Sequence, residues 1–284
     1  MKQRIPFIIV IATLLLSTGC KKENNGSGLK AVFSYVADGF RVNFTNFSTN
    51  ATEYSWDFGD GTGTTSSRRE PLHIFKQKGD FLVTLTAKNG SETSVFKDTV
   101  AILGPNIKID GDFTDWEYVD YAHRNAEGYN SSITAIKSFV TSDAVNIYLE
   151  GNANMNMDII DIYMDADNNP GTGFATWMYP AGSGADFLLE GSPTAGWGDI
   201  FKHAGAPGDW AWNAVGSFTG NLIFSSVVTS GSVKKIEFSI KKSVLGPVKN
   251  FVNFAIIEST SGWAEAGKIP ESATPASKFI AVPL

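Results

Sequence analysis

The chain has 284 residues, 43% of them hydrophobic and 18% charged, with 28 Gly, 11 Pro and one Cys. That length is ample for one large or two modest cores, and 12% aromatic residues exclude a disordered chain. With 23 Lys+Arg against 29 Asp+Glu, a formal charge of −6 argues against nucleic acid as a partner, because phosphate recognition needs a basic surface. A lone cysteine excludes an internal disulfide and the CxxC pairs of zinc or c-haem sites.

Lys2 and Arg4 form a basic N-terminal region, followed by the apolar run Phe7 to Leu16. This run is too short to cross a hydrocarbon core of about 30 Å as a helix and reads as the h-region of a signal peptide. Leu16-Ser-Thr-Gly-Cys20 follows and resembles a bacterial lipobox. The resemblance implies that residues 1–19 are removed, that Cys20 is lipidated, and that the protein hangs from a membrane by its acyl chains. Residues 20–28, polar and containing Gly26 and Gly28, read as a flexible tether. The mixed charges of Lys21, Lys22 and Glu23 leave the membrane face open.

From 29 to 103, apolar residues alternate with period two at Phe33/Tyr35, Val42/Phe44 and Val83/Leu85/Ala87, which predicts a small immunoglobulin-like β-sandwich. Trp56 and Phe58 are expected in its core. Asp57 and Asp60, next to Gly59 and Gly61, are expected to cap a tight turn rather than do acid–base work. The stretch YSWDFGDGT at 54–62, with Pro71-Leu-His73-Ile-Phe75 and Gly79-Asp-Phe81-Leu-Val83-Thr-Leu85, resembles a polycystic kidney disease (PKD) domain. The resemblance implies a spacer without chemistry of its own and a structural role for His73.

Gly104-Pro105 marks a boundary, and 105–284 reads as a second, larger β-sandwich. Strands are predicted at 135–140, 145–150, 159–165, 186–190, 222–228, 235–240 and 252–258, with helical turns at 112–116 and 241–245. The fold class is therefore all-β, two sandwiches in series. Ile109-Asp-Gly…Asp115-Trp116, the run Asp165-Ala-Asp167-Asn-Asn169-Pro-Gly-Thr-Gly173, Ala185-Asp186-Phe…Glu190-Gly191 and Ile236-Glu-Phe-Ser-Ile240 follow the order of motifs in family 9 carbohydrate-binding modules and their DOMON-like relatives, which this half resembles.

Trp177, Trp197, Trp210, Trp212 and Trp263 fall in Gly-, Ala- and Ser-flanked segments that read as loops or strand ends. There an indole face is free to stack on the C–H face of a sugar ring, while packing inside the sandwich is the alternative for each. Trp116 is expected in the core. Tyr179, Asp186 and Glu190 complete the predicted carbohydrate-binding set. Asp165, Asp167 and Asn169 offer oxygens suited to a structural Ca²⁺, with Asx turns as the competing account. No other cofactor is implied. The three histidines are scattered and no HExxH, GxSxG or P-loop signature is present, so no catalytic residues are expected. A carboxylate pair drawn from Asp161, Asp165, Asp186 and Glu190 keeps a glycan hydrolase or lyase open, and Met155, Met157, Met164, His123 and His203 keep haem open.

The order of lipobox, small sandwich and carbohydrate-binding-like sandwich resembles the surface glycan-binding lipoproteins of polysaccharide-utilisation systems in Bacteroidota. It implies an outer-membrane, lipid-anchored protein that captures polysaccharide, with a β-glucan such as laminarin as first guess, beside a TonB-dependent transporter. A cell-surface adhesion or structural protein is the remaining alternative.

Overall fold

A computed structural model describes residues 28–272 and 274–284. The signal segment, Cys20 and the tether up to residue 27 lie outside the described residues. Among those described, no helix is long and apolar enough to cross a membrane.

The first sandwich contains β1 (Phe33–Asp38), β2 (Arg41–Asn46), β3 (Glu53–Asp57), β4 (Thr65–Ser66), β5 (Leu72–Ile74), β6 (Gly79–Asn89) and β7 (Glu92–Ile102). One sheet has the order β1-β2-β5 and the other β4-β3-β6-β7, all antiparallel. The period-two residues meet between the sheets: Val42, Trp56, Val83, Leu85 and Ala87 are fully buried. Trp56 Nε1 donates to Arg68 O at 2.9 Å, which satisfies the polar end of a buried indole. Asp57 and Asp60 accept from the amides of Gly59 and Thr62. His73 lies 2.7 Å from Asp60 and stacks on Phe58 with centroids 3.8 Å apart, so the motif's acids and imidazole are spent on the turn.

The second sandwich holds β8 (Tyr121–Arg124), β9 (Ile133–Val140), β10 (Ala144–Gly151), β11 (Ile159–Asp165), β12 (Phe187–Ser192), β13 (Trp197–His203), β14 (Trp212–Ser217), β15 (Leu222–Phe224), β16 (Val228–Ser230), β17 (Val233–Lys241), β18 (Phe251–Ser259), β19 (Glu265–Ile269) and β20 (Ile280–Pro283). Sheet one runs β15-β17-β10-β9-β8, with β16 also on β17. Sheet two runs β14-β13-β12-β11-β18-β19, with β20 also on β18. The core between them joins Ile147, Leu149, Phe238 and Ile240 to Ile160, Ile162, Met164 and Ile256. The predicted strands are present, except that 222–228 is strand only at Leu222–Phe224 (β15), with β16 beginning at its last residue. Strands β8, β13, β14, β19 and β20 were not expected from the sequence. The two predicted helical turns are short 3-10 turns at Phe113–Trp116 and Lys242–Val244.

The two sandwiches are packed together rather than strung apart. Phe40 meets Phe139 edge-on at 6.1 Å, and the core of the first sandwich is continuous with Trp116, Val119 and Tyr148 of the second. Trp116 is held by a buried carboxylate: Glu237 Oε2 accepts from Trp116 Nε1 at 2.7 Å, while Oε1 accepts from the amides of Asp110 and Gly111. Burial raises the carboxyl pKa of Glu237, partly offset by these donors. Replacing Glu237 by Leu strands three donors in a dry site, and a urea unfolding curve should show a loss of about 3 kcal/mol or more.

Candidate functional site

Alternation along sheet two sends one set of side chains into the core and the other outward. On β11, Ile160, Ile162 and Met164 enter the core, so Asp161, Tyr163 and Asp165 face out. Antiparallel register then aligns these outward residues in rows across the sheet. One row runs Ala255, Tyr163, Leu188, Phe201, Ala214. The next runs Ile257, Asp161, Glu190, Asp199, Ser217. Trp197 stands beyond it, opposite Ser192, and Trp212 stands at the other end, opposite His203. From His203 to Trp197 the outward face is about 20 Å long, at about 3.3 Å per residue.

Half of this face is roofed. Residues 174–185 and 277–280 fold back over β11 and β18, joined by hydrogen bonds from Ala181 N to Ser277 O and from Phe279 N to Gly182 O. Tyr179 and Phe279 pack beneath them with Tyr163, Ala255 and Ile257. Tyr179 was predicted as a sugar contact and is instead fully buried, its hydroxyl donating to Pro270 O at 2.7 Å. The chain turns between Trp177 and Tyr179, with Tyr179 N donating to Thr176 O, so the two rings point apart. The two ends of the 174–185 segment are stapled to each other where Phe174 pairs with Ala185. Gly173, at φ 67°, crosses the backbone of Gly184 and Ala185 where any side chain would collide.

The other half, over β12 to β14, is open. Leu188, Glu190, Phe201, Trp210 and Trp212 line a cavity of about 330 Å³ there. Trp210 and Trp212 stand nearly perpendicular, 75° apart with centroids at 5.7 Å, and Phe174 props both at 5.2 and 5.6 Å. Trp210 is 63% exposed. Trp212 is half-buried, and its Nε1 has no acceptor. Trp212 opens β14, and Trp210 reaches the cavity from the preceding loop. Ala175 N donates to Pro207 O, tying that loop to the one carrying Trp177, which is 83% exposed. Trp197 begins β13 at the far end of the face, 47% exposed, and Trp263 tips the β18–β19 hairpin, 57% exposed. The five indoles are therefore accessible but do not form one platform. Phe174, Leu188 and Phe201 escaped sequence reasoning because, as single apolar residues in strands or turns, they look like core.

Glu190 sits beside the cavity, and Asp161 is its direct cross-strand neighbour. Asp161 Oδ1 is buried with no donor, and its carboxyl pKa is pushed up to about 7, first by burial and then by the charge and hydrogen bond of Glu190. Burial likewise raises Glu190, with Asp199 adding repulsion while the bond to Asp161 opposes it. A proton shared between the two carboxyls satisfies both. Asp186, the other predicted sugar contact, does not line the cavity; its Oδ2 accepts from the amides of Ala166 and Asp167.

That bond places Asp186 with the Asp-rich loop. Asp165, Asp167 and Asp186 each bring a carboxylate oxygen within 4.8 Å of the others. Burial and neighbouring acids raise the pKa of Asp165 and Asp186, against hydrogen bonds that lower it. Asx turns run through the loop: Asp165 accepts from Asn168 N, Asp167 from Asn169 N, and Asn169 Oδ1 from Gly171 N. Both sequence accounts thus meet here, turn chemistry in the hydrogen bonds and a donor set for a hard cation in the carboxylates. The residues considered for haem are not brought together. Met155, Met157 and Met164 are buried in the core, His123 pairs with Glu271 on the opposite sheet, and His203 bonds Asp209 O.

Residues 28–95 match the family profile described as PKD domain. Among solved structures, the PKD1 domain of the Vibrio cholerae metalloprotease PrtV is similar to the same part of the chain, at 28% identity over 26% of this chain and 96% of that one, TM-score 0.25. A family 9 carbohydrate-binding module from Caldicellulosiruptor kristjanssonii in complex with cellotriose aligns at 13% identity over 63% of this chain and 89% of that one, TM-score 0.38. A structure described under the promiscuous specificity of carbohydrate-binding modules from the β-sandwich superfamily aligns at 15% identity over 81% and 95%, TM-score 0.25. No curated protein sequence matches the chain.

The Asp161–Glu190 pair gives stability a definite pH slope. Between the ordinary carboxyl value of 3.8 and about 7, the folded protein holds a proton that the unfolded chain has released, so stability falls as pH rises through that window and levels off above it. Asp161→Asn should flatten the slope and raise stability at pH 8 relative to the parent by on the order of 2 kcal/mol, measured by urea unfolding across pH.

Proposed function

We propose that this protein captures polysaccharide at the open half of sheet two and performs no chemistry on it. The observation that carries this reading is the cavity lined by Trp210 and Trp212 together with Leu188, Phe201 and the Glu190 carboxyl. Exposed indoles rimmed by polar groups cost solvation unless a ligand covers them. A sugar ring offers what they lack, apolar C–H faces for stacking and hydroxyls for the carboxylate. At about 330 Å³ the cavity takes a small part of a chain, and the remaining units extend along the face toward Trp197. Weak contacts repeated along a polymer raise effective affinity.

The acid pair favours capture over cleavage. Asp161 and Glu190 lie side by side on adjacent strands of one sheet, whereas a glycosidase sets its two carboxyls on either side of the bond it cleaves. In this reading Cys20 carries the lipid, the PKD-like sandwich holds the binding sandwich off the outer membrane, and captured glycan passes to a TonB-dependent transporter. A β-glucan such as laminarin is the first polymer to try. Ca²⁺ held by Asp165, Asp167 and Asp186 would brace the loop that carries the roof. Added calcium should then raise the melting temperature and a chelator reverse it, with Asp167→Asn abolishing the difference.

Affinity electrophoresis in gels cast with a panel of polysaccharides tests the reading. Parent protein should be retarded by at least one polymer, Trp210→Ala and Trp212→Ala should each weaken retardation about tenfold or more, and Trp263→Ala should change it little. Unchanged migration of both cavity variants removes the proposal. New reducing ends accumulating at a turnover rate would replace it with the enzyme.

A further inference from the structure

The ligand's charge can be read from what surrounds the indoles. Three acids, Asp161, Glu190 and Asp199, lie directly opposite one another on three adjacent strands, an arrangement that costs stability in a sheet when nothing of opposite charge joins it. None of the three takes part in an ion pair among the described residues. The basic groups nearby are engaged or turned away. Lys202, between Phe201 and His203, alternates to the other side of β13 and acts on Asp186. Lys268, beyond Ile257 in the same row, pairs with Glu265 at 2.9 Å, and His203 is bonded to Asp209 O. The charges bearing on Asp161 and Glu190 come from acids. The indole surface that lines the cavity adds negative potential of its own, which a cation favours.

We infer that the Trp210–Trp212 cavity selects a glycan bearing a positively charged amino group, a glucosamine-type polymer, over neutral chains of the same linkage. The inference rests on the glycan-binding reading of that cavity and adds the substituent it recognises. A neutral chain leaves the charge that remains on Glu190 and Asp199 without a counter-ion. An ammonium group placed between the indoles and Glu190 neutralises part of the row and draws on cation–π attraction at the same time.

Three β-1,4-linked hexamers that differ only at C2 separate the possibilities: glucosamine, N-acetylglucosamine and cellohexaose, titrated calorimetrically at mildly acidic pH and low salt. The glucosamine hexamer should bind about tenfold or more tighter than either neutral hexamer, and the ratio should shrink as salt is raised. Glu190→Gln should reduce the ratio severalfold. Asp98→Asn, which removes the same charge from an exposed strand of the first sandwich, should leave it unchanged. Equal affinity for all three hexamers overturns the inference, yet leaves the capture reading intact if Trp210→Ala abolishes their binding. A ratio that falls equally in Asp98→Asn, or glucosamine binding that survives Trp210→Ala, overturns it by showing general attraction to an acidic protein. No binding of any hexamer overturns it as well, and the polysaccharide gels then decide the capture reading separately. Matching melting temperatures for the variants exclude unfolding as the cause.

Discussion

Strand register in sheet two is the constraint on which the site depends. Because side chains alternate with a period of two, a slip of one residue on β12 would send Glu190 into the core and Leu189 out to solvent. The register is held by burial on the inner face, where Ile160, Ile162, Leu189 and Ile200 all enter one cluster. The core thus fixes the outer face without touching it. Three acids in line and a floor of Leu188 and Phe201 follow from inner-face packing as surely as from any contact they make themselves.

The roof over half of that face explains why the cavity is where it is. An outer surface as apolar as Tyr163, Ala255 and Ile257 has to be covered, and the segments carrying Tyr179 and Phe279 cover it. The cover stops at the edge formed by Phe174, whose ring supports Trp210 and Trp212. The rim of the roof therefore props two of the residues that line the cavity, and the Asp-rich loop that precedes the roof meets the site through Phe174. Packing between the sandwiches, Phe40 against Phe139 and the first core against Trp116 and Tyr148, holds the second domain on the first.

The parts of this arrangement that were legible in the sequence are those written locally. The WDFGDG turn, the alternation of β2 and β6, and the long apolar strands β9 to β11 and β18 each carry their signal within a few residues. Strands β13 and β14 do not. Trp197-Gly-Asp and Trp212-Asn-Ala read as loops because glycine, aspartate and asparagine are poor strand formers, and pairing across the sheet overrides that preference. Tyr179 and Asp186 were misplaced for a related reason. Whether a tyrosine two residues from an exposed tryptophan points in or out depends on a turn and on Pro270, 91 residues later. Likewise, whether Asp186 faces a ligand or two amides depends on the loop that precedes it in the sheet.

The acid row shows the same limit from the other side. Asp161, Glu190 and Asp199 are spread over 39 positions in the chain and become neighbours only through two consecutive pairings. Nothing in the local sequence around any one of them marks it as unusual. Put together, they create a place where a carboxyl holds its proton to about pH 7, because two like charges in a partly dry site cannot both persist. A natural sheet can dissolve such a conflict with a single lysine on the adjoining strand. Here the adjoining outward positions are Ile257 on one side and Ser217 on the other, so the strands flanking the row supply no positive charge to it.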